Sequence, residues 1–182
     1  MRSVFNKILS GAIVLIALFH LWSCNTNQID EEKVGKHMEG VLTQLFNAVQ
    51  TRDKDTFQTF FADHVVSLPD FEEGWDYVID QYQGNLMEVK FRSTGYTGEH
   101  IVSKDKIHYA YMTFIVITSE AEYMVRVEFY TKYASTYPND SYKIRKFSLL
   151  SKLENGEYED DGIGFTQRYG IYYPGWLDEK ID

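Results

Sequence analysis

Apolar and polar residues alternate along the central stretch KIHYAYMTFIVITSEAEYMVRVEFYTKY. Successive side chains of a β-strand point to opposite faces, so this alternation predicts a long antiparallel hairpin. If the chain folds about Glu120, Tyr111 lies opposite Phe129 on one almost wholly apolar face. Arg126 and Glu128 then point away from that face as exposed side chains. The pattern therefore predicts a sheet with one face packed against the rest of the domain.

Helical periodicity comes before the strands. Apolar residues recur every three or four positions over residues 31–51, 54–62 and 71–82, which predicts three helices. Helices that precede all the strands indicate an α+β domain. We expect the three helices to pack on the apolar face of a strongly curved antiparallel sheet.

Further strands are expected on both sides of the hairpin. One covers residues 86–93 and continues, after a turn, over 99–102, and the last long strand covers 142–153. Its alternation changes phase at Arg145 and Lys146, which predicts a β-bulge.

The C-terminal segment, residues 162–182, is rich in aromatic and aliphatic residues. A segment with this composition is too apolar to stay in solvent. We expect Tyr172, Tyr173 and Trp176 to pack against the rest of a single domain that spans residues 31–182.

The first 23 residues have the layout of a targeting segment. Arg2 and Lys7 precede an apolar run that is too short to cross a bilayer as a permanent helix. The sequence Leu-Trp-Ser-Cys that ends at Cys24 resembles a bacterial lipobox. This resemblance implies cleavage before Cys24, diacylation of its thiol, and a tether over residues 24–30. An ordinary cleaved signal and a signal anchor are the alternatives.

Charge and cysteine content exclude several classes of protein. The net charge is −9, and removal of the two basic residues of the targeting segment makes it −11. Binding to nucleic acid needs a basic surface, so we expect no nucleic-acid partner. The single cysteine excludes an internal disulfide bond and an all-thiolate metal site, and no motif predicts a cofactor.

The order of the predicted elements resembles a known fold. Three helices, with FFADHVV at the end of the second, are followed by long strands. This arrangement resembles the nuclear-transport-factor-2-like fold, which includes SnoaL-like and ketosteroid-isomerase-like families, over about residues 31–153. The resemblance implies a sheet wrapped around the helices into a cone with an apolar pocket. Together with the lipobox, it resembles an uncharacterised lipoprotein family of that group.

Aromatic residues of the helices and the hairpin are the candidate lining of such a pocket, although they would serve equally well as plain core. The candidates are Phe61, Trp75, Tyr82, Tyr109, Tyr111 and Tyr123. We therefore expect a lipid-anchored binding protein on the extracytoplasmic face of the cell membrane. Its ligand would be a small apolar molecule, a peptide or a partner in the cell envelope.

Two other functions stay open. The resemblance implies that an isomerase- or dehydratase-type enzyme would use Asp63 or His64 as its general base. The predicted apolar sheet face, however, carries no acid or histidine, which argues against such chemistry. A homodimer could instead form through the opposite face, to which the pattern assigns Ala110, Met112, Phe114 and Met124.

The acidic run at residues 157–162 resembles the start of a calcium-binding loop. Arg168 occupies the position where such a loop needs its final glutamate. A solvated acidic loop explains the run better, so we predict no metal site.

Overall fold

A computed structural model describes residues 30–102, 105–131, 142–159 and 169–173. The predicted targeting segment, Cys24 and Trp176 lie outside these residues. Within them the chain is α+β, with helices followed by strands. The helices are α1 (Glu31–Thr51), α2 (Lys54–Gln58), α3 (Asp63–Val66) and α4 (Phe71–Gln81). The strands are β1 (Leu86–Val102), β2 (Asp105–Thr118), β3 (Glu122–Tyr130), β4 (Ile144–Ser151) and β5 (Gly170–Tyr172).

The second predicted helix, 54–62, ends early at Gln58, and α3 lies beyond its predicted range, so the described residues contain four helices and not three. Asp53 caps α2, because its Oδ1 atom accepts a hydrogen bond from the backbone N–H of Thr56 at 3.0 Å. The chain leaves the helix after Gln58 and runs beside the start of β4. There Ile144 donates its N–H to the Phe60 carbonyl at 2.8 Å, and Ala62 donates to the Ile144 carbonyl at 2.9 Å. These tertiary hydrogen bonds compete with continuation of the helix.

The five strands form one sheet in the order β1-β2-β3-β4-β5. The first four pair antiparallel, whereas β5 is parallel to β4. The sheet is therefore mixed rather than antiparallel throughout, and it is not closed. Strand β5 lies against α4, where a Cβ atom at Gly74 would stand 2.6 Å from the Ile171 Cβ atom. The predicted docking of the C-terminal segment is found for Tyr172, which is buried.

The hairpin between β2 and β3 turns about a point between Ser119 and Glu120, half a residue before the predicted centre. The Thr118 N–H donates to the Ala121 carbonyl at 2.9 Å, which closes a two-residue loop. The Thr118 hydroxyl also accepts from the backbone N–H of Glu120 and Ala121. The predicted register is therefore wrong by one residue.

The shift in register moves all of β2 to the other face of the sheet. Phe129 pairs with Ala110, not with Tyr111, and Tyr111 pairs with Glu128. The core on the helix-facing side takes Phe129 as predicted, together with the fully buried Ala110, Met112 and Phe114 of β2. The prediction that Tyr111 faces the helices is wrong, and so is the predicted dimer face, since three of its four residues are core.

The register of the sheet is interrupted at four places. The predicted bulge in β4 is confirmed, because Lys146 pairs with Glu128 and Ile144 with Phe129, which leaves Arg145 unmatched. Strand β1 runs unbroken through the predicted turn after residue 94, with irregularities at Met87, Arg92 and Gly95. These bulges re-aim side chains on the face away from the helices.

Candidate functional site

The six residues predicted to line one pocket lie on two different faces of the sheet. Phe61, Trp75 and Tyr123 are buried on the helix-facing side, with Tyr82 partly buried beside them. Tyr109 and Tyr111 belong to the opposite face, because β2 is turned over relative to the prediction. The six residues do not form a single lining.

On the helix-facing side, the aromatic rings pack against one another. The Phe57 ring centroid lies 4.7 Å from that of Trp75 and 4.9 Å from that of Phe61. The Tyr123 hydroxyl donates to the Gln81 carbonyl at 2.9 Å and accepts from the Gln83 N–H at 2.7 Å. These contacts match the plain-core alternative for Phe61, Trp75 and Tyr123.

Tyr82 is the exception on this side. Its ring stacks between those of Phe46 and Tyr123, at 5.3 and 5.8 Å. Its hydroxyl oxygen is buried, and no described residue forms a hydrogen bond with it. Burial, with a smaller contribution from Tyr123, raises the pKa of Tyr82 to about 12.

A polar cleft of about 430 Å³ opens at the end of the sheet near the C-terminus of α4. Its lining includes Gln81, Glu122 and Lys152. The Glu122 Oε1 atom accepts from the Tyr158 hydroxyl at 2.5 Å and from Lys152 Nζ at 3.0 Å. The hydrogen bond from Tyr158, followed by that from Lys152, lowers the pKa of Glu122. The cleft is lined by charged and amide side chains, unlike the predicted apolar pocket.

A buried charged cluster lies on the sheet face away from the helices. It consists of Glu128, Arg145 and Lys146, which are 1%, 4% and 4% exposed. The bulge in β4 places both basic side chains beside the carboxylate of Glu128 on β3. Arg145 Nε lies 2.8 Å from Glu128 Oε1, and Lys146 Nζ lies 3.1 Å from Oε1 and 3.2 Å from Oε2. The expectation that Glu128 is exposed is wrong.

Tyrosine rings surround this cluster. The Arg145 Cζ atom lies 4.4 Å from the ring centroid of Tyr169, 4.9 Å from that of Tyr109 and 5.2 Å from that of Tyr130. A guanidinium over aromatic faces is attracted by their negative quadrupole, and the attraction grows when water is excluded. The rings therefore hold the Arg145 side chain in place independently of its contact with Glu128.

Tyr96, on β1, contacts the charged cluster. Its hydroxyl donates to Glu128 Oε2 at 2.5 Å, and its ring centroid lies 5.1 Å from that of Tyr111. Tyr111 lies directly over Gly95, where a Cβ atom would stand 2.1 Å from the Tyr111 Cδ1 atom. Glycine at position 95 thus allows the two tyrosines to pack side by side over the strand.

Burial shifts the pKa values of Lys146 and of the neighbouring Tyr96. It lowers the pKa of Lys146, against the opposing effect of Glu128 and with a smaller lowering by Arg145. Burial, and then the hydrogen bond to Glu128, raises the pKa of Tyr96. At neutral pH the Tyr96 hydroxyl keeps its proton and remains a donor to Glu128.

Asp63 and His64 are neighbours in the sequence but have different surroundings. Asp63 is exposed at the start of α3. The ring centroid of His64 lies 4.8 Å from that of Tyr169 and 6.1 Å from that of Tyr130. Of the two predicted candidates, only His64 approaches the tyrosines around Arg145.

A profile described as a domain of unknown function, DUF5104, matches residues 44–144, which is more than half of the chain. The chain belongs to the DUF5104 family. No curated protein matches it. The matched residues run from within α1 to the first residue of β4. They include Glu128 and Tyr130 of this DUF5104 protein and end just before Arg145.

Two kinds of feature are absent from the described residues of this DUF5104 protein. None of its described helices is long and apolar enough to cross a membrane. Within the same residues, no group of three or more His, Cys, Asp or Glu side chains is arranged to hold a metal ion. The acidic run at residues 157–162 lies partly outside the described residues, which include 157–159.

Sequence reasoning missed the charged cluster and Tyr96, Tyr130 and Tyr169. One signal was present, because the phase change that predicts the bulge carries two basic residues, Arg145 and Lys146. Two adjacent cations at a bulge in a strand of otherwise buried residues need an anion nearby. Glu128, the glutamate of an otherwise apolar strand end, was the available partner.

Proposed function

We propose that this DUF5104 protein is a lipid-anchored binding protein on the extracytoplasmic face of the cell membrane. We further propose that its domain is related to the nuclear-transport-factor-2-like cone fold. It holds a small ligand, without catalysis, on the sheet face that carries the charged cluster and its tyrosines. The ligand site thus lies on the opposite side of the sheet from the pocket that the resemblance implies.

The buried charged cluster is the observation that carries this proposal. Three charged side chains, each at most 4% exposed, are kept where apolar residues would pack. Replacing a buried ion pair with apolar residues is often neutral or stabilising, so stability alone gives little reason to keep one. Titratable groups with shifted pKa values, such as Lys146 and Tyr96, gather preferentially at functional sites.

Ligand retention is tested by native mass spectrometry of the full chain purified from its own cell envelope. The proposal predicts an additional mass on the wild-type protein. Tyr109→Ala should remove it, because this ring forms a wall of the cluster. Tyr158→Phe, in the polar cleft, is the matched control and should retain it. Loss with Tyr158→Phe alone would place the ligand in the cleft, and no additional mass on the wild type would contradict binding.

The lipid anchor is supported by the lone cysteine at the end of the lipobox-like sequence. Two acyl chains give stable attachment where one is marginal. Cys24→Ala should release the protein from the membrane fraction and abolish labelling with radioactive fatty acid. Ser23→Ala, which keeps a small residue before the thiol, should do neither. A Cys24→Ala protein that is still labelled would contradict the anchor.

The enzyme alternative uses Asp63 or His64, and of these two His64 lies beside Tyr169. A dehydratase using His64 as its general base would accumulate unreacted substrate in the His64→Gln variant. The mass retained on that variant would then exceed the wild-type mass by one water. An unchanged mass contradicts a dehydratase that uses His64.

A further inference from the structure

Arg145 has hydrogen-bonding capacity that no residue in the described part of the chain uses. We infer that its outer nitrogens bind the carboxylate of a small organic acid, which makes Arg145 the specificity-determining residue of the site. This inference rests on the proposed function, because it names the chemical class of the ligand at the same cluster.

The guanidinium is not docked on Glu128 in the usual way. Arginine commonly grips a carboxylate with two parallel N–H···O bonds. Here Nε lies 2.8 Å from Glu128 Oε1 but forms no hydrogen bond. The other carboxylate oxygen, Oε2, is taken by the Tyr96 hydroxyl at 2.5 Å and by Lys146 Nζ at 3.2 Å. Glu128 therefore positions Arg145 without occupying its outer edge.

The two outer nitrogens of Arg145 carry four N–H donors. No residue in the described part of the chain accepts a hydrogen bond from them, although the side chain is only 4% exposed. Guanidinium stays charged at all accessible pH values and has no acceptor of its own. Of the guanidinium nitrogens, Nε is fully buried without a hydrogen-bond partner, whereas the two outer nitrogens are not fully buried, so an external oxyanion can reach them as their acceptor.

The surroundings select a small ligand. Tyr109, Tyr130 and Tyr169 stand around the guanidinium at 4.4 to 5.2 Å and leave little of it exposed. A carboxylate on a small carbon skeleton can present two oxygens to Arg145 while its apolar part contacts a tyrosine ring. A macromolecular surface is too large to reach a side chain buried to this extent.

The charge of the cluster favours a monoanion. The Glu128 carboxylate faces two basic side chains, those of Arg145 and Lys146. A carboxylate supplies one negative charge, whereas a phosphate dianion would add a second one close to Glu128. We therefore choose the carboxylate and treat phosphate as a competing outcome.

Isothermal titration of the full wild-type chain with benzoate tests the inference. Benzyl alcohol and benzylamine keep the ring and remove the negative charge, and inorganic phosphate keeps the charge and removes the ring. Benzoate should bind about tenfold or more tightly than any of the three, as expected for a charge-assisted bidentate pair. Equal binding of benzoate and benzyl alcohol overturns the inference, and so does binding of phosphate alone. This comparison needs no variant and so does not depend on variant folding.

Arg145→Lys locates the site, because lysine keeps the charge but lacks the planar fork. Benzoate affinity should fall about tenfold or more, with the urea midpoint used to verify folding. Arg92→Lys, on β1, is the matched control and should leave the affinity within about twofold. Unchanged affinity in a folded Arg145→Lys protein overturns the inference.

The two proposals fail in distinguishable ways. A neutral or cationic molecule found on the native protein, with no binding of benzoate, overturns the carboxylate and leaves the binding function intact. Absence of any native ligand, together with no binding of benzoate, overturns both.

Discussion

On the helix-facing side of β2 and β3, residues such as Ala110, Val125 and Phe129 are fully buried among other apolar groups. On the opposite side of the same sheet, Glu128, Arg145 and Lys146 are almost equally buried but are charged. Apolar burial stabilises a fold without specific partners, whereas buried charges must find them. Equal burial thus conceals two kinds of surface. The apolar residues of the helix-facing side build the core. The charged residues of the opposite side are not needed for core packing, so their presence needs another explanation.

The largest loss of stability is expected when a core side chain on the helix-facing side is truncated. Phe129→Ala should lower the free energy of unfolding by about 3–5 kcal/mol, because it leaves a cavity in a fully packed region. Met87→Ala, at an exposed position on β1, should change it by less than about 0.5 kcal/mol. Urea denaturation of both variants measures the difference. Similar costs would mean that Phe129 is not part of the core.

On the charged side, removing one member should cost more than replacing all three. Glu128→Ala removes the carboxylate that lies beside the buried Arg145 and Lys146 and should lower stability by about 3 kcal/mol. This is the lower end of the usual range, because Lys146, whose pKa is already lowered by burial, can release its proton. Replacement of all three by methionine should be nearly neutral in urea denaturation. A triple variant less stable than Glu128→Ala would contradict this view of the cluster.

A smaller loss of stability tests the packing of Tyr111 over Gly95. Gly95→Ala places a Cβ atom against the Tyr111 ring and should cost about 1–3 kcal/mol, as overpacking does. Tyr111→Ala removes the obstacle, so the double variant should lose less than the sum of the two single changes. A double-mutant cycle in urea measures this coupling. Additive costs would show that the two residues are not in contact.

The smallest effect concerns a single hydroxyl on the apolar side. Tyr82→Phe removes a buried hydroxyl that has no hydrogen-bond partner among the described residues, so stability should be unchanged or slightly higher. The pKa of Tyr82 is about 12, above its unfolded value of about 10. The unfolded state therefore loses this proton first, and stability falls as pH rises from about 10 to 12.

Tyr82→Phe should remove part of this alkaline loss. The rest should persist, because the pKa of Tyr158 is also raised to about 12, mainly by burial. Urea midpoints at pH 8 and pH 11 provide the measurement for both proteins. An equal fall in the two midpoints would contradict the assignment to Tyr82.

The sequence by itself determined the α+β order, α1, the approximate extent of α4, the bulge at Arg145 and the inward direction of Phe129. Each of these follows from periodicity over neighbouring residues, which acts wherever the segment lies. Only the tertiary structure decided the register of the hairpin, since hydrogen bonds between Thr118 and Ala121 move every side chain of β2 to the other face. It also decided that residues 60–62 leave the helix to pair with β4. The contact between the charged cluster and Tyr96 depends on this register, because Glu128, Arg145 and Tyr96 come from different strands and meet only when the sheet has formed.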